Sequence, residues 1–245
     1  MSAEDEAFRL EVRSFLQAEW DPKDYDAYSM NVWSYDFDNL AARDHAKEFQ
    51  KKIIDKGWWL MSWPKEYGGQ EIEGVYEFIL TEALARHAAP QIGKGVGIIG
   101  KTLIRHGSEK LKKEFLPQIL NAEVEFAVGY SEPQAGSDAA NMQLKAEPVE
   151  GGWLLNGQKM WTTSAHFAEW YWVGARTDPD KSKHAGLSLF LIPMNHPGLE
   201  VQSLPTIGKD TTNQVFFEDV FVPDADGRAH SQPTTFVPRG GGVLH

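Results

Sequence analysis

Apolar residues in the first half of the chain recur at helical spacing: Phe8, Val12, Phe15 and Leu16, then Phe49 with Ile53, then Phe78 and Ile79 with Ala83. Side chains three and four positions apart share one face of a helix, so this spacing predicts amphipathic helices. Gly107-Ser108-Glu109-Lys110, followed by Leu111, Phe115 and Leu116, predicts a further helix with Ser108 as its N-cap. After Ala122 the pattern changes. Short apolar or alternating runs predict strands over 126–131, 143–149, 153–156, 170–175, 187–192 and 215–222. Turn signals at Glu150-Gly151-Gly152, Asn156-Gly157 and His196-Pro197-Gly198 divide them. The expected fold class is α+β, with an N-terminal all-helical domain over 1–122, a β-domain over 123–224 and an irregular tail over 225–245. There is no internal repeat or low-complexity block.

Composition narrows the function classes. With 42 % apolar and 24 % charged residues, the 245-residue chain can bury an ordinary core. Its longest apolar runs, such as 187–194, fall short of the ~20 residues a membrane helix needs, so no membrane partner is expected. The acidic start Met1-Ser2-Ala3-Glu4-Asp5-Glu6 lacks a secretory pattern, which predicts a cytoplasmic protein. A formal charge of -11 argues against a nucleic-acid surface but leaves a nucleotide cofactor possible. Without cysteine there is no disulfide, thiolate nucleophile or Cys-ligated metal, so redox work requires a bound cofactor.

The chemistry concentrates in two segments. The first is Val128-Gly129-Tyr130-Ser131-Glu132-Pro133-Gln134-Ala135-Gly136-Ser137-Asp138 and the second Lys159-Met160-Trp161-Thr162-Thr163-Ser164. In the first, small residues and hydroxyls follow a strand, and Pro133 fixes the turn, so backbone N–H groups and hydroxyls can approach an anionic or carbonyl-rich ligand. These two ordered motifs, at this spacing, resemble the flavin-binding signatures of the acyl-CoA dehydrogenase family, Thr-Glu-Pro-x-Ala-Gly-Ser-Asp and Lys-x-Trp-Ile-Thr. The resemblance covers roughly residues 1–224. It implies a helical domain followed by a β-barrel-like middle domain, FAD as cofactor and α,β-dehydrogenation of an acyl-CoA thioester. It also implies a homo- or hetero-oligomer when complete, and an electron-transfer flavoprotein or similar acceptor.

Position by position, the resemblance lays Val128, Gly129, Tyr130 and Ser131 along the flavin, with the Ser131 hydroxyl near the isoalloxazine edge. It brings Gly136 and Ser137 to the flavin pyrophosphate and the CoA arm, which makes Ser137 a substrate-binding residue as well. Trp161, Thr162 and Thr163 would pack on and hydrogen-bond the flavin from its other side. For Trp161 the competing reading is core filling. Glu132 is tempting as a general base, but beside Pro133 it suits a carboxylate that ties down its own backbone. No catalytic residue is assigned within the chain.

Three other features read as structure. The aromatic run Gly57-Trp58-Trp59-Leu60-Met61-Ser62-Trp63-Pro64-Lys65-Glu66-Tyr67-Gly68-Gly69 resembles a family loop, and aromatics at this density usually cap a helical core. Gly95-Val96-Gly97-Ile98-Ile99-Gly100-Lys101-Thr102 satisfies the P-loop pattern of an NTPase, but that motif needs a strand leading into it, and residues 84–91 end a helix and pass through Pro90. Small residues there are instead expected to let two helices approach closely. The eight histidines show no metal-ligand spacing.

Two departures qualify the resemblance. Gly129-Tyr130-Ser131-Glu132-Pro133 resembles family branches acting on bulky acyl groups, some built from two different subunits. Beyond Val215-Phe216-Phe217-Glu218-Asp219-Val220-Phe221-Val222-Pro223, residues 225–245 carry no helical period, so the family's C-terminal helical bundle, which supplies the glutamate base, is expected to be missing. Three functions therefore stand for test: an acyl-CoA dehydrogenase lacking its base, a non-catalytic flavin- or acyl-CoA-binding subunit of a heteromeric dehydrogenase, and a P-loop NTPase.

Overall fold

The structure, a computed structural model, describes residues 2–21, 40–207, 211–224 and 235–236. The chain divides into two compact units. One gathers Met1–Lys101, Phe115–Glu123 and Ile207–Asp210; the other gathers Thr102–Glu114, Val124–Thr206 and Thr211–His245.

The first unit is helical. Helix α1 (Ala3–Glu19) opens with a capping box, in which Asp5 N–H donates to Ser2 Oγ at 3.1 Å and Ser2 N–H to Asp5 Oδ2 at 2.6 Å. Its Val12 and Leu16 are fully buried. Helix α2 (Leu40–Asp55) buries Phe49 and Ile53, and helix α3 (Gly74–Arg86) buries Ile79, Leu80, Ala83 and Leu84. Phe78, expected with that apolar face, is instead 63 % exposed, because Ile79 and Ala83 define a face that turns it outward. The aromatic run forms core as expected. Trp58, Trp59 and Trp63 are buried, Trp59 Nε1–H donates to the Ile119 carbonyl at 3.0 Å, and Phe8 and Phe15 set their ring edges against Trp58 at 5.5 and 5.2 Å. Its double glycine is a turn: Gly68 has φ 83°, and a Cβ on Gly69 would fall 2.0 Å from the Trp63 carbonyl oxygen.

No strand leads into the P-loop-like segment; Gly95–Gly100 is one turn of π-helix continued by α4 (Lys101–His106). Of its glycines, Gly100 serves close approach, to an indole rather than a second helix, whereas nothing lies within 4 Å of a Cβ built on Gly97. A Cβ on Gly100 would lie 2.1 Å from the Trp63 ring, whose Nε1–H donates to the Val96 carbonyl at 3.3 Å. Helix α5 (Glu109–Leu120) starts as expected, with Leu111 N–H on Ser108 Oγ at 3.3 Å. No helix among the described residues is long and apolar enough to cross a membrane.

The second unit holds a single curled sheet. Its strands are β1 (Phe126–Gly129), β2 (Lys145–Val149), β3 (Gly152–Lys159), β4 (Trp170–Arg176), β5 (Leu187–Pro193), β6 (Leu199–Pro205), β7 (Thr211–Pro223) and β8 (Thr235–Phe236). They run in the order β6-β7-β3-β2-β4-β5-β8, with β1 parallel to β4. Helices followed by a barrel-like sheet is the predicted architecture. Three details differ. Asn156-Gly157 is not a turn: β3 runs through it to Lys159, and the ladder with β7 shifts between Leu155 and Gly157, so Asn156 faces both Glu218 and Asp219. Asn156 Nδ2 donates to Asp219 Oδ1 at 3.1 Å and accepts on Oδ1 from Asp219 N–H at 2.9 Å, which satisfies the bulge locally. Strand β6, absent from the predicted strands, pairs with β7 along its length. Of the tail expected to be irregular, only Thr235–Phe236 lies within the described residues, and these two pair antiparallel with β5.

Candidate functional site

Strand β1 carries the first motif to the end of the sheet, and β3 carries the second. Where they finish, the chain joins them: Met160 N–H donates to the Ser131 carbonyl at 2.9 Å. Beside that bond lies an ion pair almost wholly removed from water. Lys159 Nζ donates to Glu132 Oε1 at 2.8 Å and to the Tyr130 carbonyl at 3.3 Å, with the two side chains 0 % and 2 % exposed. The carboxylate is saturated, since Leu144 N–H donates to Oε1 at 2.8 Å and Gln143 N–H to Oε2 at 2.5 Å. Glu132 therefore ties down residues 143–144 and Lys159, rather than the backbone of its own turn as expected. Burial pulls the Lys159 ammonium down to about 8, against the charge and hydrogen bond of Glu132.

The predicted residues divide sharply between two faces. Gly129 faces inward, where a Cβ would meet Tyr171 Oη at 2.3 Å. The Tyr130 side chain also turns in: its phenol accepts from Trp172 Nε1–H at 2.7 Å, and burial pushes it up to about 12 despite that bond. Thr162 departs from the implied role, because its hydroxyl is fully buried and bonded to Tyr171 Oη at 2.9 Å. The Thr162 main chain is committed as well, its N–H and carbonyl both taken by Asn213.

The rest remain open. Val128, Ser131 and Thr163 are half-buried, and the Ser131 and Thr163 hydroxyls have no partner among the described residues. Gly136 and Ser137 are exposed just beyond the 132–135 turn, which Glu132 N–H closes on the Ala135 carbonyl at 2.7 Å, and nothing lies within 4 Å of a Cβ built on Gly136. Trp161 is 59 % exposed at φ 60°, a left-handed conformation uncommon for a bulky residue. That exposure rules out core filling. A bare indole face, two unbonded hydroxyls and an unobstructed glycine turn, held on adjoining chain segments, fit a flat, hydrogen-bonding cofactor with a polar tail.

Sequence reading missed the residues behind this surface. Asn213 accepts on its carbonyl from Thr162 N–H at 2.8 Å and donates from Nδ2 to the Thr162 carbonyl at 2.9 Å. Tyr171 and Trp172 receive Thr162 and Tyr130 from β4. None carries a sequence signal, because each is recognised only by what it touches across the sheet. Among the described residues, no group of His, Asp and Glu is placed to hold a metal ion.

With this geometry in place, comparison with known proteins defines the class: the chain belongs to the acyl-CoA dehydrogenase family. Residues 2–123 match "Acyl-CoA dehydrogenase, N-terminal domain" and residues 127–220 match "Acyl-CoA dehydrogenase, middle domain". The chain is 31 % identical over 226 residues to "Acyl-CoA dehydrogenase FadE26" of Mycobacterium tuberculosis, covering 91 % of this chain and 55 % of that one. It superposes on the solved "Tcur3481-Tcur3483 steroid ACAD" with TM-score 0.80 at 28 % identity, covering 91 % of this chain and 56 % of that chain. The solved "FAD complex of PigA" aligns with TM-score 0.72 at 25 % identity, over 96 % and 58 % of the two chains. The chain thus spans about half the length of the proteins it matches.

Proposed function

We propose that this chain is the flavin- and acyl-CoA-binding part of an FAD-dependent acyl-CoA dehydrogenase. The observation that carries the reading is the junction of the two motifs, which leaves the Trp161 indole exposed and the Ser131 and Thr163 hydroxyls unbonded while Glu132, Lys159 and the Thr162 hydroxyl are committed to the protein itself. Ser131, Trp161 and Thr163, with the main chain of 128–131, would hold the isoalloxazine, and Gly136 and Ser137 the pyrophosphate and the CoA arm. FAD, when bound, supplies the hydride acceptor for the β-carbon of the acyl group. The chain's own residues fix the orientation of that acceptor and shield it from water on one side. Glu132, the buried carboxylate of the site, is not free to take the α-proton, since it is saturated by Lys159, Gln143 and Leu144. Likeness to a two-component steroid ACAD supports a bulky acyl group and assembly with a non-identical chain. Its electron acceptor would be an electron-transfer flavoprotein or a similar carrier.

The test is spectral. Purified protein, supplied with FAD and with any partner chain it assembles with, is expected to perturb the flavin absorbance bands, and Trp161→Ala to weaken binding. Magnesium-dependent ATP binding without flavin binding would overturn the reading. The 245-residue polypeptide assayed alone is expected to show no acyl-CoA dehydrogenation with an artificial electron acceptor, because loss of a general base costs about 10² to 10⁴ in rate. Turnover by it, abolished by replacing a glutamate within it, would contradict the assignment.

A further inference from the structure

Trp161 poses a physical problem that the flavin reading does not solve. A left-handed backbone at a non-glycine residue is unfavourable, and an indole that stays 59 % exposed recovers little of that by burial. Ser164, three residues on, is also left-handed at φ 74°. Something else must hold the segment. The ladder between β3 and β7 shows what does: Lys159 sits opposite Val215, yet Thr162 meets Asn213. Met160 and Trp161 therefore face the single residue Gln214, with one residue too many on their side. Such an extra residue re-aims its side chain.

Asn213 closes that bulge with both of its halves. Its main-chain carbonyl takes Thr162 N–H at 2.8 Å, and its side-chain amide donates to the Thr162 carbonyl at 2.9 Å, standing where a ladder N–H would stand. A carbonyl can only accept, which fixes the amide's orientation, and the same Nδ2 lies 3.0 Å from His166 Nδ1. The amide oxygen is left buried without a hydrogen bond among the described residues. An unbonded buried acceptor is itself unfavourable, and the fold retains it at a residue 0 % exposed. We infer that Asn213 is a positioning residue that sets the outward, left-handed presentation of Trp161 and, through it, the fit of the flavin.

The flavin half of this inference rests on the reading above; the Trp161 half does not, and the experiment separates them. The protein is labelled with 5-fluorotryptophan, and Trp161→Phe assigns one of the resonances of its nine tryptophans. In Asn213→Asp, which keeps the shape but loses the donor, the Trp161 resonance is expected to shift or broaden while those of the buried Trp63 and Trp172 stay in place. Equilibrium dialysis with FAD should then show affinity lower by on the order of tenfold, as for other groups that orient a binding residue without touching the ligand. Asn213→Ser serves as a second variant should the aspartate disturb the core. An unmoved Trp161 resonance in a folded variant would overturn the inference, as would unfolding of both variants, which would make Asn213 a core residue. A shifted resonance with no flavin binding by the unsubstituted protein would leave Asn213 as the holder of Trp161 and sink the flavin reading instead.

Discussion

Glu132 and Lys159 are both shielded from water, and each is tolerable there only because of the other. Removing one partner of such a pair leaves a buried charge uncompensated, whereas removing both does not. Lys159→Met is therefore expected to destabilise the protein by about 3–5 kcal/mol, and the double variant with Glu132→Gln by less than Lys159→Met alone. Denaturant melts of the two single variants and the double variant measure this; additive losses would show that the charges do not act as a pair. At this scale the sequence was only half legible. That Glu132 is structural followed from its setting beside Pro133, but its partner lies 27 positions away and its other bonds reach Gln143 and Leu144. Thr162 illustrates the converse, since motif likeness fixes its place in the chain but not the side to which its hydroxyl turns.

At the scale of elements, long apolar periods were readable and local irregularities were not. Helices α1, α2 and α3 and six of the strands came directly from spacing, the helices because each buries one face and β4 and β5 because they are continuous apolar runs buried on both faces. Strand β6 escaped although Leu199-Glu200-Val201-Gln202 alternates: the period breaks at Ser203, its apolar side chains Leu199 and Val201 are only partly buried against the core, and main-chain pairing to β7 completes it. The Asn156-Gly157 bulge escaped because its glycine and asparagine are also what a turn would use. The aromatic loop of the helical unit is bonded at Ser62 to Glu77 of α3, which accepts from Ser62 N–H at 3.2 Å, Ser62 Oγ and Lys101 Nζ at 2.9 Å. Partial burial raises its pKa, but the bonds from Ser62 and Lys101 outweigh this and hold the carboxyl below its ordinary value of 4.5. A carboxylate with a lowered pKa contributes stability that is complete above pH 4.5 and lost as pH falls through its folded value. Glu77→Gln should therefore lower stability at neutral pH and flatten the acid limb below pH 4.5. An acid limb of unchanged slope would mean that Glu77 is not a latch.

For the whole molecule, the order of a helical unit and a curled sheet was legible because the apolar period changes once along the chain. The candidate site was legible as two motifs and illegible as a surface: Asn213, Tyr171 and Trp172, which decide what faces outward, come from strands with no chemical signature of their own. The P-loop-like run shows the same limit from the other side, a complete pattern on a π-helical turn with no strand before it. The central claim, that the two motifs form one FAD surface, is tested most directly by amide hydrogen exchange with and without FAD, in the protein and any assembly it requires. The account predicts slowed exchange in residues 128–137 and 160–164 together, with no change across 95–102. Protection at 95–102 by magnesium-ATP, with both motif segments unaffected by FAD, would contradict it.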